Sequence, residues 1–417
     1  MLSHPPDAVQ TKRYEEKREL VLNAAAVVFN ERGLRGATFA DVAGSVGLLP
    51  ASVTYYYRKK DDLALACFLR ATANFEAIAV RAAAERDVAT RVRAFLAGHA
   101  ELLARIALGE SPDMILFNEL HALPEPHLQQ IYAAYTDLFR KVRRLLRGNE
   151  TEGLARDELT ARAHLLIGTA HWFRLWIERH EPSQYVRLAH RVADIVLDGL
   201  ANGRWRGPSD EHEWTLVADV GGRVEAFLRA ATRLINEQSY KGVSVDKISA
   251  RLNLTKGAFY HHHETKQDLI EACFERTFEV LRRTLDHADA AGGDGYERLR
   301  SVLCALIRFQ LSDEGPLLRV TATSAVPESS HREEVRKTLG RLVERVAQMA
   351  VDGMADGSLR VTDPISAAQF VVAGINTTAE ARRWILAVAA SEGVRLYAPP
   401  ILHGLLCAAA PPAPRVP

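Results

Sequence analysis

The feature that most constrains this chain is that it contains itself twice. Adding 206 to a position in the first half lands on its counterpart: Ala24-Ala25 on Ala230-Ala231, Asn30-Glu31 on Asn236-Glu237, Gly36 on Gly242, and Ala66-Cys67-Phe68 on Ala272-Cys273-Phe274. The register still holds at Gly168 and Gly374, and slips by one where LDGL at Leu197 to Leu200 meets LHGL at Leu402 to Leu405. A chain of 417 residues is too long for one ordinary core. Two copies of one domain fill it.

Each copy opens on the same local pattern. In the first, Lys17 to Gly33 reads as a helix. Phe39, Val42, Ala43 and Val46 then fall at i, i+3, i+4 and i+7, with Thr38 and Asp41 as a capping box ahead of them. LLPASVTYYYRKKDDL follows. In the second, Val245, Ile248, Ser249 and Leu252 repeat the spacing, Ser244 stands where the first copy has Thr38, and TKGAFYHHHETKQDL follows. Thr255 is a natural N-cap, and Lys256 and Gly257 occupy the first turn, where side chains reach a DNA groove. Thr265 with Asp268 caps the next helix. Lys266 in that first turn is placed for a phosphate, because the helix dipole prefers acids there. The pattern is helix, tight turn, helix.

The stretch from Thr255 to Leu269 resembles the DNA-binding domain of the tetracycline-repressor (TetR) family, whose third helix reads close to S-K-G-T-L-Y-x-H-F followed by x-x-K-x-x-L. The matching residues are Thr255, Lys256, Gly257, Ala258, Phe259, Tyr260, His262, Lys266 and Leu269, and the departure is His263, where the family has an apolar aromatic. The first copy departs further, with Leu49 at the N-cap, Pro50 for lysine, Ala51 for glycine and Thr54 for tyrosine. Tyr55, Tyr56, Tyr57, Lys60 and Leu63 keep the remainder. Pro50 is tolerated at a first helical position, whose N–H is unpaired anyway. The resemblance implies phosphate contact at Tyr56, His262, Lys60 and Lys266, and base or sugar contact at Pro50, Ser52, Thr54, Lys256 and Tyr260. Thr38, Tyr55, Ser244, Thr255, Gly257 and His261 complete the expected DNA-binding set. The plainer alternative is a solvated helix end with ordinary surface charge; the repeated spacing favours DNA.

After each motif the periodicity is helical throughout: Ala64 to Glu85, Thr90 to Ala107, Pro126 to Arg147, Leu159 to His180 and Tyr185 to Leu200 in the first copy. The second gives Asp268 to Ala288, Tyr296 to Leu311, Ser330 to Asp352, Pro364 to Ala390 and Leu396 to Ala408. The fold class is all-α, with two tandem copies of a three-helix helix-turn-helix domain plus a helical regulatory domain. The expected limits are 13–63 and 64–207, a turn-rich linker at 208–222 in which Ser209 can open a short helix, then 223–269 and 270–408. The resemblance implies that the C-terminal helices enclose a small-molecule pocket and pair the copies into an intramolecular pseudo-dimer, a monomeric chain standing for the family's dimer.

Met114, Phe117, His121, Tyr135, His164, His171 and Trp172 are the first-copy candidates for that pocket, the alternative being ordinary core. Their counterparts at an offset of 206 include Val320, Thr323, Pro327, Phe370, Thr377 and Thr378, so the two halves should not hold one ligand equally well. No serine, histidine and aspartate arrangement stands out. Adjacent histidines on a helix point about 100° apart, so His261, His262 and His263 do not converge on one metal ion. No cofactor, metal or enzymatic activity is expected.

A net charge of +1 says that nucleic-acid binding must come from local basic patches. The four cysteines, Cys67, Cys273, Cys304 and Cys407, show no metal or paired spacing, which favours a reducing compartment. The N-terminal residues are not a signal peptide, no run of about 18 apolar residues suggests a membrane anchor, and the stretches HPPDAVQ and PPAPRVP read as disordered. The expected protein is cytoplasmic, binds a double-stranded DNA operator, and is a repressor released by a small-molecule effector. Two alternatives stand: a regulator with one DNA-competent half acting with a protein partner, and an all-helical metal-dependent enzyme.

Overall fold

The computed structural model describes residues 7–203, 207, 222–244, 247–248, 250, 265–320, 322, 330–385 and 388–407. Among them every extended element is a helix, and one isolated antiparallel bridge joins Ala201 to Leu359. The first copy comprises α1 (Asp7–Gly36), α2 (Phe39–Ser45), α3 (Pro50–Tyr56), α4 (Lys60–Ala82), α5 (Val88–Ala107), α6 (His127–Leu145), α7 (Arg156–Trp176) and α8 (Tyr185–Asp198). In the second copy the described helices are α9 (Gly222–Gly242), α10 (Lys266–Ala291), α11 (Gly295–Leu311), α12 (Ser330–Ala355), α13 (Pro364–Thr378), α14 (Ala381–Trp384) and α15 (Ala390–His403).

The repeat is physical as well as textual. In the first copy Cys67 Sγ faces the Leu22 carbonyl at 3.7 Å; 206 positions on, Cys273 Sγ faces Leu228 at 3.8 Å. Arg70 pairs with Glu19 just as Arg276 pairs with Glu225, locking the first helix of each copy to its long fourth helix. Both cysteines are buried, and burial pushes each thiol up to about 12, so they pack as small apolar groups.

Asn30 and Asn236 each bind an extended segment by its backbone. Asn30 donates to Met114 O at 3.0 Å and accepts from Leu116 N–H at 2.9 Å, while Asn236 donates to Leu317 O at 2.8 Å and accepts from Arg319 N–H at 3.1 Å. Both peptide groups would otherwise be costly to enclose. The bound pairs stand 203 apart, so the copies slip by three here. The counterpart of Phe117 is therefore Val320 rather than Thr323.

The copies meet through α7 and α8 of the first against α13 and α15 of the second. Arg162, 1% exposed on α7, donates to Leu405 O at 2.9 Å and Cys407 O at 3.1 Å, so its charge closes carbonyls where the second copy's last helix ends. Two glycine turns interlock beside it. Gly199 (φ 73°) and Gly404 (φ 86°) end α8 and α15, and an added Cβ on either would strike the backbone of the other copy's turn. Leu200 N–H donates to Leu402 O at 2.7 Å, and Leu405 N–H returns to Val196 O at 2.8 Å.

Several sequence boundaries move. The first helix begins at Asp7, ahead of Lys17, because prolines directly before a helix are compatible with its start, so Asp7–Gln10 are helical where disorder was expected. It turns at Gly33 (φ 70°, ψ 161°) before ending at Gly36. The helix expected from Pro364 to Ala390 breaks after Thr378: Ala379 and Glu380 bond back three residues, to Asn376 and Thr377, and the Thr378 hydroxyl takes the Ile375 carbonyl at 2.7 Å. The last helix starts at Ala390 and stops at Gly404, whose positive φ ends it short of Ala408. Phe117 and His121 sit on a short 3₁₀ turn, Phe117–Ala122, not on a long helix. Helix α4 has the length and apolarity of a membrane span, but it is a core helix with Phe68 and Phe75 fully enclosed. Ser209 lies outside the described residues.

Candidate nucleic-acid interface and interior cavity

The first head is built by local chemistry. Thr38 Oγ1 accepts from Asp41 N–H at 3.1 Å and the Asp41 carboxylate accepts from Thr38 N–H at 2.8 Å, fixing the start of α2. Pro50 opens α3, and Leu49 makes no side-chain cap. Val53 and Tyr57 are buried against the head, so Pro50, Ala51, Thr54 and Tyr55 are exposed on its outer face, with Ser52 and Tyr56 partly covered. Tyr56 and Tyr55 lean on Tyr14 of α1, with ring centroids 4.9 and 5.9 Å away. The Lys60 ammonium points at the carbonyls of Ala37 (2.9 Å) and Arg35 (3.4 Å), so a phosphate there would share the cation with the end of α1.

In the second head Ser244 is exposed and its hydroxyl accepts from Lys247 N–H at 3.3 Å, the role Thr38 has in the first. Thr265 and Asp268 form the capping box that starts α10, with Lys266 partly buried beside it. Thr255, Lys256, Gly257, Tyr260, His261, His262 and His263 lie outside the described residues.

Between the copies lies a cavity of about 190 Å³. Met114, Phe117, His121, Tyr135, His164, His171 and Trp172 all line it. Phe117 stacks on His171 at 5.1 Å and meets Tyr135 at 5.4 Å; Phe75 stacks on His99 at 4.5 Å and meets His171 edge-on at 4.8 Å. Burial lowers His164 and His171 to about 4 and His99 to about 3, so all three imidazoles are neutral near pH 7. His164 Nδ1 meets the Tyr397 hydroxyl at 2.8 Å, and Trp172 donates to Gln369 at 2.9 Å, both across the copies. His171 Nε2 is buried with no hydrogen-bond partner in the protein.

The polar end comes from the second copy. Arg319 pairs with Glu380 at 2.8 Å, and Arg383 lies over the Tyr132 ring at 4.2 Å. Burial would raise the Glu380 carboxyl, but Arg319, His121, His164 and Arg383 outweigh it and hold it at about 2. Sequence reasoning missed Arg319, Glu380 and Arg383 by taking second-copy candidates only as counterparts, 206 positions on, of bulky first-copy residues; the signal was the charged TAEARRW interrupting an apolar run. Thr377, expected to line the second copy's own pocket, lines this one, and Val320 lines both this cavity and the larger one beside it. Phe370 and Thr378 are core, and Thr323 and Pro327 lie outside the described residues. A second, larger cavity of about 610 Å³ has aliphatic walls from Leu281, Leu285, Val302, Leu306 and Val346, and shares Trp172 and Asn376 with the first. Among the described residues no His, Cys, Asp or Glu group is disposed to hold a metal.

The neutral histidines give a testable pH dependence. Unfolded imidazoles titrate near 6.5, so from there down to about 4 the unfolded chain binds more protons than the folded one and stability falls with pH. His99→Phe should flatten that decline between pH 7 and 4.5 in urea titrations. An unchanged decline would remove His99 from the account.

A sequence model described as "Bacterial regulatory proteins, tetR family" matches residues 21–67 and again 227–273, covering both heads. Both heads are tetR-family heads. The tetR-family heads stand in tandem, one in each copy, and DNA-binding transcription regulation is the class of activity they carry. The chain is similar to the Transposon Tn10 TetC protein of Escherichia coli, 40% identical over 57 residues, 14% of this chain and 29% of TetC. That likeness spans less than a third of TetC. It is also 27% identical over 136 residues to the HTH-type transcriptional repressor DhaR of Mycobacterium sp. (strain GP1), 32% of this chain and 68% of DhaR. A solved TetR-family transcriptional regulator from Bordetella parapertussis 12822 superposes with a TM-score of 0.39 at 18% identity, over 45% of this chain and 96% of that one.

Proposed function

We propose that one chain acts as a complete repressor: its two heads occupy successive major grooves of one operator, and a small molecule in the interior cavity releases it. The observation that carries this reading is the cavity itself, walled by Phe117, Tyr135 and His171 from one copy and Thr377, Glu380 and Arg383 from the other. A ligand there touches both halves, so any difference in its fit between two arrangements of the copies shifts the spacing of the heads. Heads reading successive turns must stand about 34 to 36 Å apart, and a modest change in that spacing weakens binding. The reading places the protein in the cytoplasm, in keeping with four cysteines that form no disulfide.

The operator should be asymmetric, because the first head offers Pro50, Ser52 and Thr54 where the second offers Lys256, Gly257 and Tyr260. Lys256 can hydrogen-bond guanine, a contact worth about 1 to 3 kcal/mol of discrimination, whereas the first head supplies short hydroxyls and methyl contacts. Selection from a random duplex pool should return unequal half-sites, bound by one 46.2 kDa chain per duplex in light scattering. A perfect palindrome bound by two chains would defeat the proposal.

A further inference from the structure

We infer that the interior cavity takes a small aryl carboxylate, its ring among Phe117, Tyr135 and Trp172 and its carboxylate on the Arg383 guanidinium. The inference rests on the proposed effector role of this cavity and adds the class of ligand. Size comes first. An apolar protein cavity of about 150 Å³ holds benzene, so about 190 Å³ suits one ring with a short polar stem, about ten non-hydrogen atoms. The walls favour a flat ring, since offset and edge contacts with the aromatic side chains add to apolar burial.

The charges then select the stem. Of the ionised groups around the cavity, Arg319 is paired with Glu380 at 2.8 Å and Arg174 with Asp113 at 2.5 Å, leaving Arg383 over. Among the described residues Arg383 has no ion pair and no side-chain hydrogen bond; its guanidinium carbon lies over the rings of Tyr132 at 4.2 Å, Trp384 at 5.2 Å and Tyr135 at 5.4 Å, so its N–H groups have no acceptor there. That fork suits a planar carboxylate held by two parallel bonds. An organic cation would instead have to approach Glu380 past two guanidiniums. His171 Nε2, buried and unpartnered on the same wall, can take a further polar atom of the ligand.

The test is calorimetry on the full chain with phenylacetate, its neutral analogue phenylacetamide and the cation phenethylammonium. Phenylacetate should bind at least ten-fold tighter than either. Arg383→Gln should erase that preference while leaving the amide's affinity unchanged, and Arg383→Lys, which keeps the charge and loses the fork, should retain part of it. Equal or tighter binding of amide or cation, binding of none of the three, or a phenylacetate affinity indifferent to both Arg383 variants would overturn the inference. Operator affinity measured in parallel separates the two ideas. Arg383-dependent phenylacetate binding with undiminished DNA affinity would defeat the release reading and leave this one standing. Release by some other compound with no phenylacetate binding would do the reverse.

Discussion

Replacing Gly404 by alanine should lower the stability of the whole chain by about 2 to 5 kcal/mol, combining a left-handed backbone that alanine adopts poorly with overpacking. At φ 86°, the new methyl group would run into the Leu197 carbonyl and the amide of Gly199. Neither can retreat, because both belong to the turn whose hydrogen bonds join α8 to α15. Gly357→Ala is the matched control: its φ of 80° is equally unfavourable, but the Cβ would meet nothing within 4 Å, so only the backbone cost remains. Urea midpoints and slopes compare the two. Equal midpoint shifts would mean that the interlocked turns contribute nothing beyond local strain.

The second large effect is on DNA. Thr54→Asp sets a negative charge on the exposed face of α3 with no buried contact disturbed, and Lys256→Glu reverses a charge at the matching start of the second recognition segment. If both heads engage one operator, each is held at a high effective concentration by the other, and disabling either should cost about 10² to 10⁴-fold in affinity. Gel-shift titration at fixed salt reads this directly. A wild-type affinity in Thr54→Asp alongside a collapse in Lys256→Glu would leave only the second head competent, the rival in which a protein partner supplies the rest.

What was legible in the sequence was what local chemistry decides. Thr38 with Asp41, Thr265 with Asp268 and Pro50 at a first helical position all do in space what their spacing says. The repeat was legible too, because the Cys67 and Cys273 contacts follow the same offset as the letters. The cavity was half legible. Its aromatic and histidine wall was read from bulky residues of the first copy, and all seven come together. Its charged end was not, for two reasons. The slip of three between Leu116 and Arg319 falls in irregular chain, where no periodicity marks register. The break after Thr378, which carries Glu380 and Arg383 to the cavity, has neither glycine nor proline to announce it and depends on hydroxyl and three-residue bonds that compete with the helix.

Gly168 on α7 is packed directly against the Thr377 side chain of α13, with no room for a methyl group between them. Thr377 is the twin of His171, the imidazole stacked on Phe117. In an assembly of two identical polypeptides those two positions would be one codon, and a threonine facing this glycine would require giving up the histidine at the cavity wall. Joining the copies in a single gene uncouples them. A mutation here alters one copy and leaves the equivalent position of the other unchanged, so one cavity wall can change its chemistry while the other keeps its own.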